Sequence, residues 1–218
     1  MKSVLITGGT VRLGKAIAER LRAEGWRVIT SSHCADAGAD IVADLAEPMG
    51  PAKLYAATLQ VLGGTPPDAL VNNAALFTGD DASIAAVNLE APKKLTTLMS
   101  GREAGVGAVV NILDSKVAGF RDCKVAALGT YLASKRELAV FTRSSAAMFA
   151  ATLRVNAVAP GPVLAPTGVH VKADATLLDR RPTPDDVAAA VSYLLGAEST
   201  TGTVIPVDAG QHLVEAFT

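Results

Sequence analysis

The chain has 218 residues, with 20 Lys and Arg against 21 Asp and Glu, a formal net charge of −1. That balance lacks the basic excess that displaces counterions from nucleic acid or holds anionic lipid, and no apolar run approaches the roughly 20 residues of a bilayer span. Half the residues are hydrophobic and only 19% are charged, a composition that builds a large core and argues against disorder.

Short β-branched runs alternate with Ala/Leu-rich stretches of helical period, the pattern of βαβ units on a parallel sheet. Residues 4–6 read as the first strand. Leu13, Ile17 and Leu21 recur every four positions, which predicts a helix over 13–24 stopped by Gly25. Residues 26–30 and 40–43 read as the second and third strands. A helix over 52–62 ends at Gly63-Gly64 and Pro66-Pro67. Residues 69–71 and 107–113 supply the fourth and fifth strands, with a helix at 84–100 between them. The longest helical pattern covers 131–151, followed by a strand at 154–157. Residues 160–184, rich in Pro and Gly, read as loop with one short helix inside. Thr183-Pro184 caps a helix over 185–195, and 203–207 forms a last strand. With no internal repeat, low-complexity tail or linker, the expectation is α/β: one doubly wound domain over 1–218.

Cys34 and Cys123 make no disulfide framework or zinc pattern, and His33, His170 and His212 lie too far apart for a local metal motif. No metal site is expected. The apolar stretch after Met1 is too short for a signal peptide, so the expected location is the reducing cytoplasm. A small molecule is the expected partner, with no nucleic acid and no membrane.

Thr7-Gly8-Gly9-Thr10-Val11-Arg12-Leu13-Gly14 joins the first strand to the first helix. Glycines there let the backbone approach a pyrophosphate, and the helix start supplies oriented N–H groups. A plain chain reversal also uses glycines; the position after the first strand favours a dinucleotide. At the end of the second strand, Thr30-Ser31-Ser32-His33-Cys34 offers no carboxylate before Asp36. A carboxylate would suit the ribose of NAD. Ser31, Ser32 and His33 can instead donate hydrogen bonds to a 2′-phosphate, with the charge of Arg12 nearby, which favours NADPH over NADH.

Tyr131 and Lys135 stand four apart in Tyr-Leu-Ala-Ser-Lys, so they share one helix face with Cβ atoms about 6 Å apart. An ammonium beside a phenol stabilises the phenolate and lowers a pKa that is otherwise near 10. Such a tyrosine can give a proton to a substrate under reduction. Taken alone the spacing describes many amphipathic helices; the glycine turn upstream raises its meaning.

With these motifs in this order, the chain resembles the short-chain dehydrogenase/reductases, over nearly its whole length. The resemblance implies a Rossmann-type sheet of about seven strands with helices on both faces. It implies that Tyr131 is the proton donor and that Lys135 binds the nicotinamide ribose. Asn72-Asn73-Ala74-Ala75 resembles the Asn-Asn-Ala-Gly stretch beside the cofactor, which assigns Asn73 and Ala74 there, with Ala75 in place of the glycine. Gly8 and Leu13 fall on the phosphate turn, Asp44 and Leu45 at the adenine edge, and Pro160-Gly161 against the nicotinamide. Asn88 matches the helix asparagine that anchors a water beside the lysine; a local helix bond is its plainer reading. Val207-Asp208-Ala209-Gly210 resembles a C-terminal Asp-Gly-Gly stretch. Homotetramers or homodimers are implied, with the Asn88 and Tyr131 helices as interfaces.

One position departs from the general family. After Val110-Asn111-Ile112-Leu113 the usual catalytic serine is replaced by Asp114, with Ser115 one residue on. A one-residue slip turns a side chain to the opposite face, and this facing argument favours Asp114. Arg12, Phe77, Asp114, Tyr131 and Lys135 together resemble the pteridine reductase branch. There the aspartate helps relay a proton to a ring nitrogen, and an aromatic ring at the place of Phe77 stacks on the pterin. The implied activity is NADPH-dependent reduction of a dihydropterin- or dihydrofolate-type ring, with Arg12, Phe77, Asp114 and Tyr131 holding it. A general carbonyl/alcohol oxidoreductase using Ser115 remains open, as does a dinucleotide-binding sensor without turnover. Phe77 tucked into the core is the plainer alternative for that residue.

Overall fold

A computed structural model describes residues 1–103, 105–118, 129–163 and 176–217, apart from the side chains of 215–217. The chain begins with β1 (Ser3–Thr7), five buried residues in a row. Then come α1 (Arg12–Ala23), β2 (Arg27–Ser32), β3 (Ile41–Val42) and α2 (Gly50–Val61). After β4 (Ala69–Asn72), a helical run is built from α3 (Asp81–Ala85), a π turn (Ala86–Glu90) and α4 (Ala91–Ser100). β5 (Gly107–Ile112), α5 (Thr130–Met148), β6 (Leu153–Pro160), α6 (Pro184–Gly196), β7 (Val204–Val207) and α7 (Gln211–Phe217) follow.

Seven parallel strands form one sheet in the order β3-β2-β1-β4-β5-β6-β7. Alternate residues of each strand face opposite sides, so each face packs its own helices. Val4, Ile6, Val71 and Val110 meet Ile17 and Leu21 of α1 and Val187, Val191 and Leu194 of α6. Leu5, Leu70 and Val109 meet Leu54 of α2 and Leu95 and Met99 of α4. Each such leucine or isoleucine adds about 1.5–3 kcal/mol by leaving water. The α/β, doubly wound reading and its strand count match this architecture.

Boundaries moved in several places. β6 reaches Pro160 rather than stopping at 157, because it pairs with β5 and β7 over its length. β3 shrinks to two residues at the sheet edge. The helix expected from 84 starts at Asp81, where Asp80 accepts the Ser83 N–H at 2.8 Å as its cap. The Thr183 cap is present as expected: its hydroxyl accepts the Asp186 N–H, and the Asp186 carboxylate accepts the Thr183 N–H in return. The short helix expected within 160–184 and the calls on His170 and Cys123 fall largely or wholly outside the described residues. The strand order reverses between β1 and β4, and the crevice at their carboxyl ends is where an open α/β sheet binds its ligand.

Candidate active site

Thr7 closes β1 and begins the site. Its hydroxyl accepts the N–H groups of Asn73 and Ala74, each at 3.0 Å. The Asn73 side-chain amide donates to the carbonyls of Thr7 and Gly8 at 2.9 and 3.0 Å. The glycine turn is thereby fastened to the end of β4. Gly8 has φ +62°, and a Cβ at Gly14 would lie 2.0 Å from the Gly8 carbonyl oxygen, so only glycine lets α1 begin this close to the turn. Val11, the residue before α1, supplies no capping side chain, and the first turn carries no acid. The first N–H groups of the helix, which have no intrahelical acceptor, and its dipole thus suit an anion.

Arg12 opens that helix at φ +48°, one of two non-glycine residues with positive φ among the described residues. This backbone position is where a glycine is common in the motif; arginine adopts it at a steric cost of about 1–2 kcal/mol.

A cavity of about 660 Å³ lies over the strand ends. Gly8, Arg12 and Leu13 line it from the turn, Asn73 and Ala74 from the end of β4, Ser31 and Ser32 from the end of β2, and His33, Asp44 and Leu45 from beyond β2 and β3. Asp114, Tyr131, Lys135, Pro160 and Gly161 line its other end. The turn that accepts no Cβ and the hydroxyl-rich end of β2 fit a dinucleotide, whose pyrophosphate the glycine turn and the start of α1 would hold. Among the β2-end groups, Ser31 is buried. The Ser32 hydroxyl accepts the Cys34 N–H at 3.1 Å, and His33 Nε2 lies 3.2 Å from Cys34 Sγ. Asp44 accepts the Ala46 N–H at 2.8 Å, a local turn bond. Gly161 is required by packing as well, since a Cβ there would meet Asp208 Cβ at 2.6 Å.

At the reacting end, the Tyr131 hydroxyl donates to Asp114 Oδ2 at 3.3 Å. The other Asp114 oxygen accepts the Lys116 N–H at 2.9 Å, which fixes the carboxylate. Ser115 faces elsewhere: it is buried, and its hydroxyl donates to Gln211 Oε1 of α7 at 3.1 Å. The alternation argument thus matches the facing seen here, with the aspartate and not the serine beside the tyrosine.

Lys135 is buried, and its Nζ donates to the Ile112 carbonyl at 2.9 Å. Burial pushes its pKa down to about 8, against the opposing pull of the Asp114 carboxylate. Its Nζ lies 5.8 Å from the Tyr131 ring centroid. The expectation that Lys135 lowers the Tyr131 pKa needs correction. Burial first, then the Asp114 charge and its hydrogen bond, push that pKa up. Spacing put the two side chains on one face, but not the carboxylate on the hydroxyl or the ammonium on a carbonyl.

Phe77 is 68% exposed, which removes the reading of a core phenylalanine. It stands edge-on to Tyr131, ring centroids 4.9 Å apart and planes at 65°, a favoured aromatic geometry. Asn88 lies on the π turn and is fully buried. Its side chain is engaged with protein: Oδ1 accepts the Leu76 N–H at 2.8 Å, and Nδ2 donates to the Leu76 carbonyl at 2.9 Å and the Ser134 hydroxyl at 3.3 Å. The Asn88 side chain thus brackets the backbone of Leu76 and reaches α5 through Ser134. Ser134 and Gln211 were not singled out from the sequence; Ser134 lay in plain view inside the Tyr-to-Lys motif, whereas nothing local marks Gln211. No group of three or more His, Cys, Asp or Glu among the described residues could hold a metal.

A crevice lined by the glycine turn at one end and by the half-buried Tyr131 phenol at the other is the working part of an NAD(P)-dependent oxidoreductase. A family model described as enoyl-(acyl carrier protein) reductase matches residues 64–212. Granaticin polyketide synthase putative ketoacyl reductase 2 of Streptomyces violaceoruber is 32% identical, over 96% of both chains. The structure of Brucella canis FolM alternative dihydrofolate reductase 1, complexed with NADP, is similar with a TM-score of 0.82 and 32% identity, covering 97% of this chain and 94% of that one. The 3-alpha-hydroxysteroid dehydrogenase of Pseudomonas sp. B-0831, complexed with NADH, matches with a TM-score of 0.83 and 27% identity over 100% of both chains. The chain belongs to the short-chain dehydrogenase/reductase family.

Proposed function

We propose that this oxidoreductase uses NADPH to reduce a pterin-like, C=N-containing heterocycle of the dihydropterin or dihydrofolate type. The observation that carries the reading is the Tyr131 hydroxyl bonded to Asp114, with the exposed Phe77 ring edge-on to Tyr131. Bound NADPH supplies the hydride. Tyr131, kept protonated by burial and the nearby carboxylate, gives a proton on the substrate side. A carboxylate beside the phenol suits a ring that presents N–H groups better than it suits a lone carbonyl oxygen, which it would repel. Arg12 and the β2-end hydroxyls select the 2′-phosphate, and Lys135 holds the nicotinamide ribose. Asn88 keeps its place in the site as the group that frames the Phe77 stretch. The likeness to a FolM protein complexed with NADP supports both parts of the reading.

A carbonyl reduction routed through Ser115 fits less well, because that hydroxyl is spent on Gln211. A sensor without turnover has no use for the Tyr131–Asp114 pair. The proposal extends to one domain over 1–218 acting as a cytoplasmic homotetramer or homodimer. No helix among the described residues is long and apolar enough to cross a membrane.

The test is consumption of NADPH and of NADH, read by nicotinamide absorbance, against a dihydropterin and a panel of ketones and diketones. Pterin-dependent loss of NADPH is expected. Turnover of ketones alone, abolished by Ser115→Ala and not by Asp114→Asn, would overturn the assignment.

A further inference from the structure

Phe77 poses a physical question. It is exposed and sits on a stretch without helix or strand, between β4 and α3, yet it meets the Tyr131 ring at a defined angle. Weak edge-on contact between two rings, about 0.5–1.5 kcal/mol, does not by itself hold a loop.

The holding is done one residue earlier. The Asn88 amide pairs with both backbone polar atoms of Leu76, as a neighbouring strand would. Its second N–H goes to the Ser134 hydroxyl, and that hydroxyl gives its single proton to the Tyr131 carbonyl at 2.7 Å. The direction of this chain is forced: a hydroxyl that donates to Tyr131 has only lone pairs left for Asn88. On the far side of the same stretch, the Thr130 hydroxyl donates to Asp81 Oδ1. The segment bearing Phe77 is therefore tied at both ends to the first turn of α5, which carries Tyr131.

We propose that Ser134 is a positioning residue: through Asn88 it sets the gap between Phe77 and Tyr131 and so tunes the site for flat rings over acyclic substrates. This rests on the reading of Phe77 as a wall for substrate. Ser134→Ala leaves a buried Asn88 N–H without its acceptor and frees Leu76 from Tyr131. Asn88 and Ser134 are both buried, so water does not readily replace the lost partner.

The experiment measures kcat/KM with NADPH for a dihydropterin, a planar aromatic ortho-diketone and an acyclic α-diketone, and takes the planar-to-acyclic ratio. Four proteins are compared: wild type, Ser134→Ala, Phe77→Ala and the double variant. The ratio falls about fivefold in Ser134→Ala, mainly through the planar KM, and the same substitution has no further effect once Phe77 is gone. Ser134→Cys, which keeps the volume and weakens both bonds, repeats the loss if the alanine variant does not fold. An unchanged ratio, an independent loss in the Phe77→Ala background, or a wild type with no preference for planar substrates would overturn the inference. Failure of the dihydropterin alone, with the ortho-diketone still preferred, removes the pterin reading and leaves this one standing.

Discussion

Replacing Asp114 by Asn removes a negative charge 3.3 Å from the Tyr131 hydroxyl while keeping the shape of the side chain. Two unit charges at that distance repel by about 5 kcal/mol at an effective dielectric of about 20. Asp114 is only half-buried, so solvent screens about half of this, leaving about 2.5 kcal/mol, or close to two pH units. Phenolate is the charged form, so removing a neighbouring anion lowers the Tyr131 pKa. Oxidation of an alcohol needs the phenolate as base. Its acid limb should therefore move down by about two units in Asp114→Asn, while reduction, which needs the phenol, loses rate from its alkaline side. The assay is the initial rate of NADP-linked oxidation of a secondary alcohol followed through the strongly alkaline range, where the raised Tyr131 pKa places the acid limb. Ultraviolet difference absorbance of tyrosinate gives the same midpoint without turnover, with Tyr131→Phe as the blank for Tyr55 and Tyr193. A midpoint displaced by less than about half a unit would refute the view that Asp114 governs this proton.

Arg12→Gly should raise the melting temperature of the cofactor-free protein, since glycine relieves about 1 kcal/mol at φ +48°. The extra stabilisation by NADPH should shrink at the same time, and thermal melts with and without cofactor read both effects. Ser32→Asp, at the cavity end of β2, should cut kcat/KM for NADPH by about tenfold or more and spare NADH, about 1.4 kcal/mol of discrimination; equal loss with both cofactors would remove the 2′-phosphate reading. Ser115→Ala should keep turnover within about twofold and cost about 1 kcal/mol of stability through the Gln211 bond, a drop of about 2–4 °C in Tm. A large fall in kcat there would restore the serine to the chemistry.

The layers of this molecule were legible because burial imposes a period. Val4 and Ile6 face one set of helices and Leu5 the other, so a fully apolar strand reads as central before any contact is known. The Thr183-Pro184 cap was legible for the same local reason. The π turn was not, because nothing in Ala86-Val87-Asn88-Leu89-Glu90 marks a widened helix. Of the site, residue types and order were readable, and the facing of Asp114 followed from strand alternation. The charge state of Tyr131 was not: it depends on how far the phenol is buried and on the Asp114 carboxylate set against its hydroxyl. Those are distances across the fold, and spacing within one helix carries no record of them. The same holds for Ser115, whose partner lies 96 residues away.

The reversal of strand order between β1 and β4 has an evolutionary consequence. The cavity residues at the ends of β2 and β3, which we propose read the adenosine, lie on one side of the reversal, and those at the ends of β5 and β6, proposed to face the reacting ring, lie on the other. A clasp of Thr7, Gly8 and Asn73 joins the two halves at the reversal. Mutations at the end of β2 can change the currency of electrons without disturbing what is reduced, and mutations around Asp114 can change what is reduced without altering the electron source. Two traits so separated can be inherited and altered one at a time, and that gives a lineage on this scaffold room to diversify.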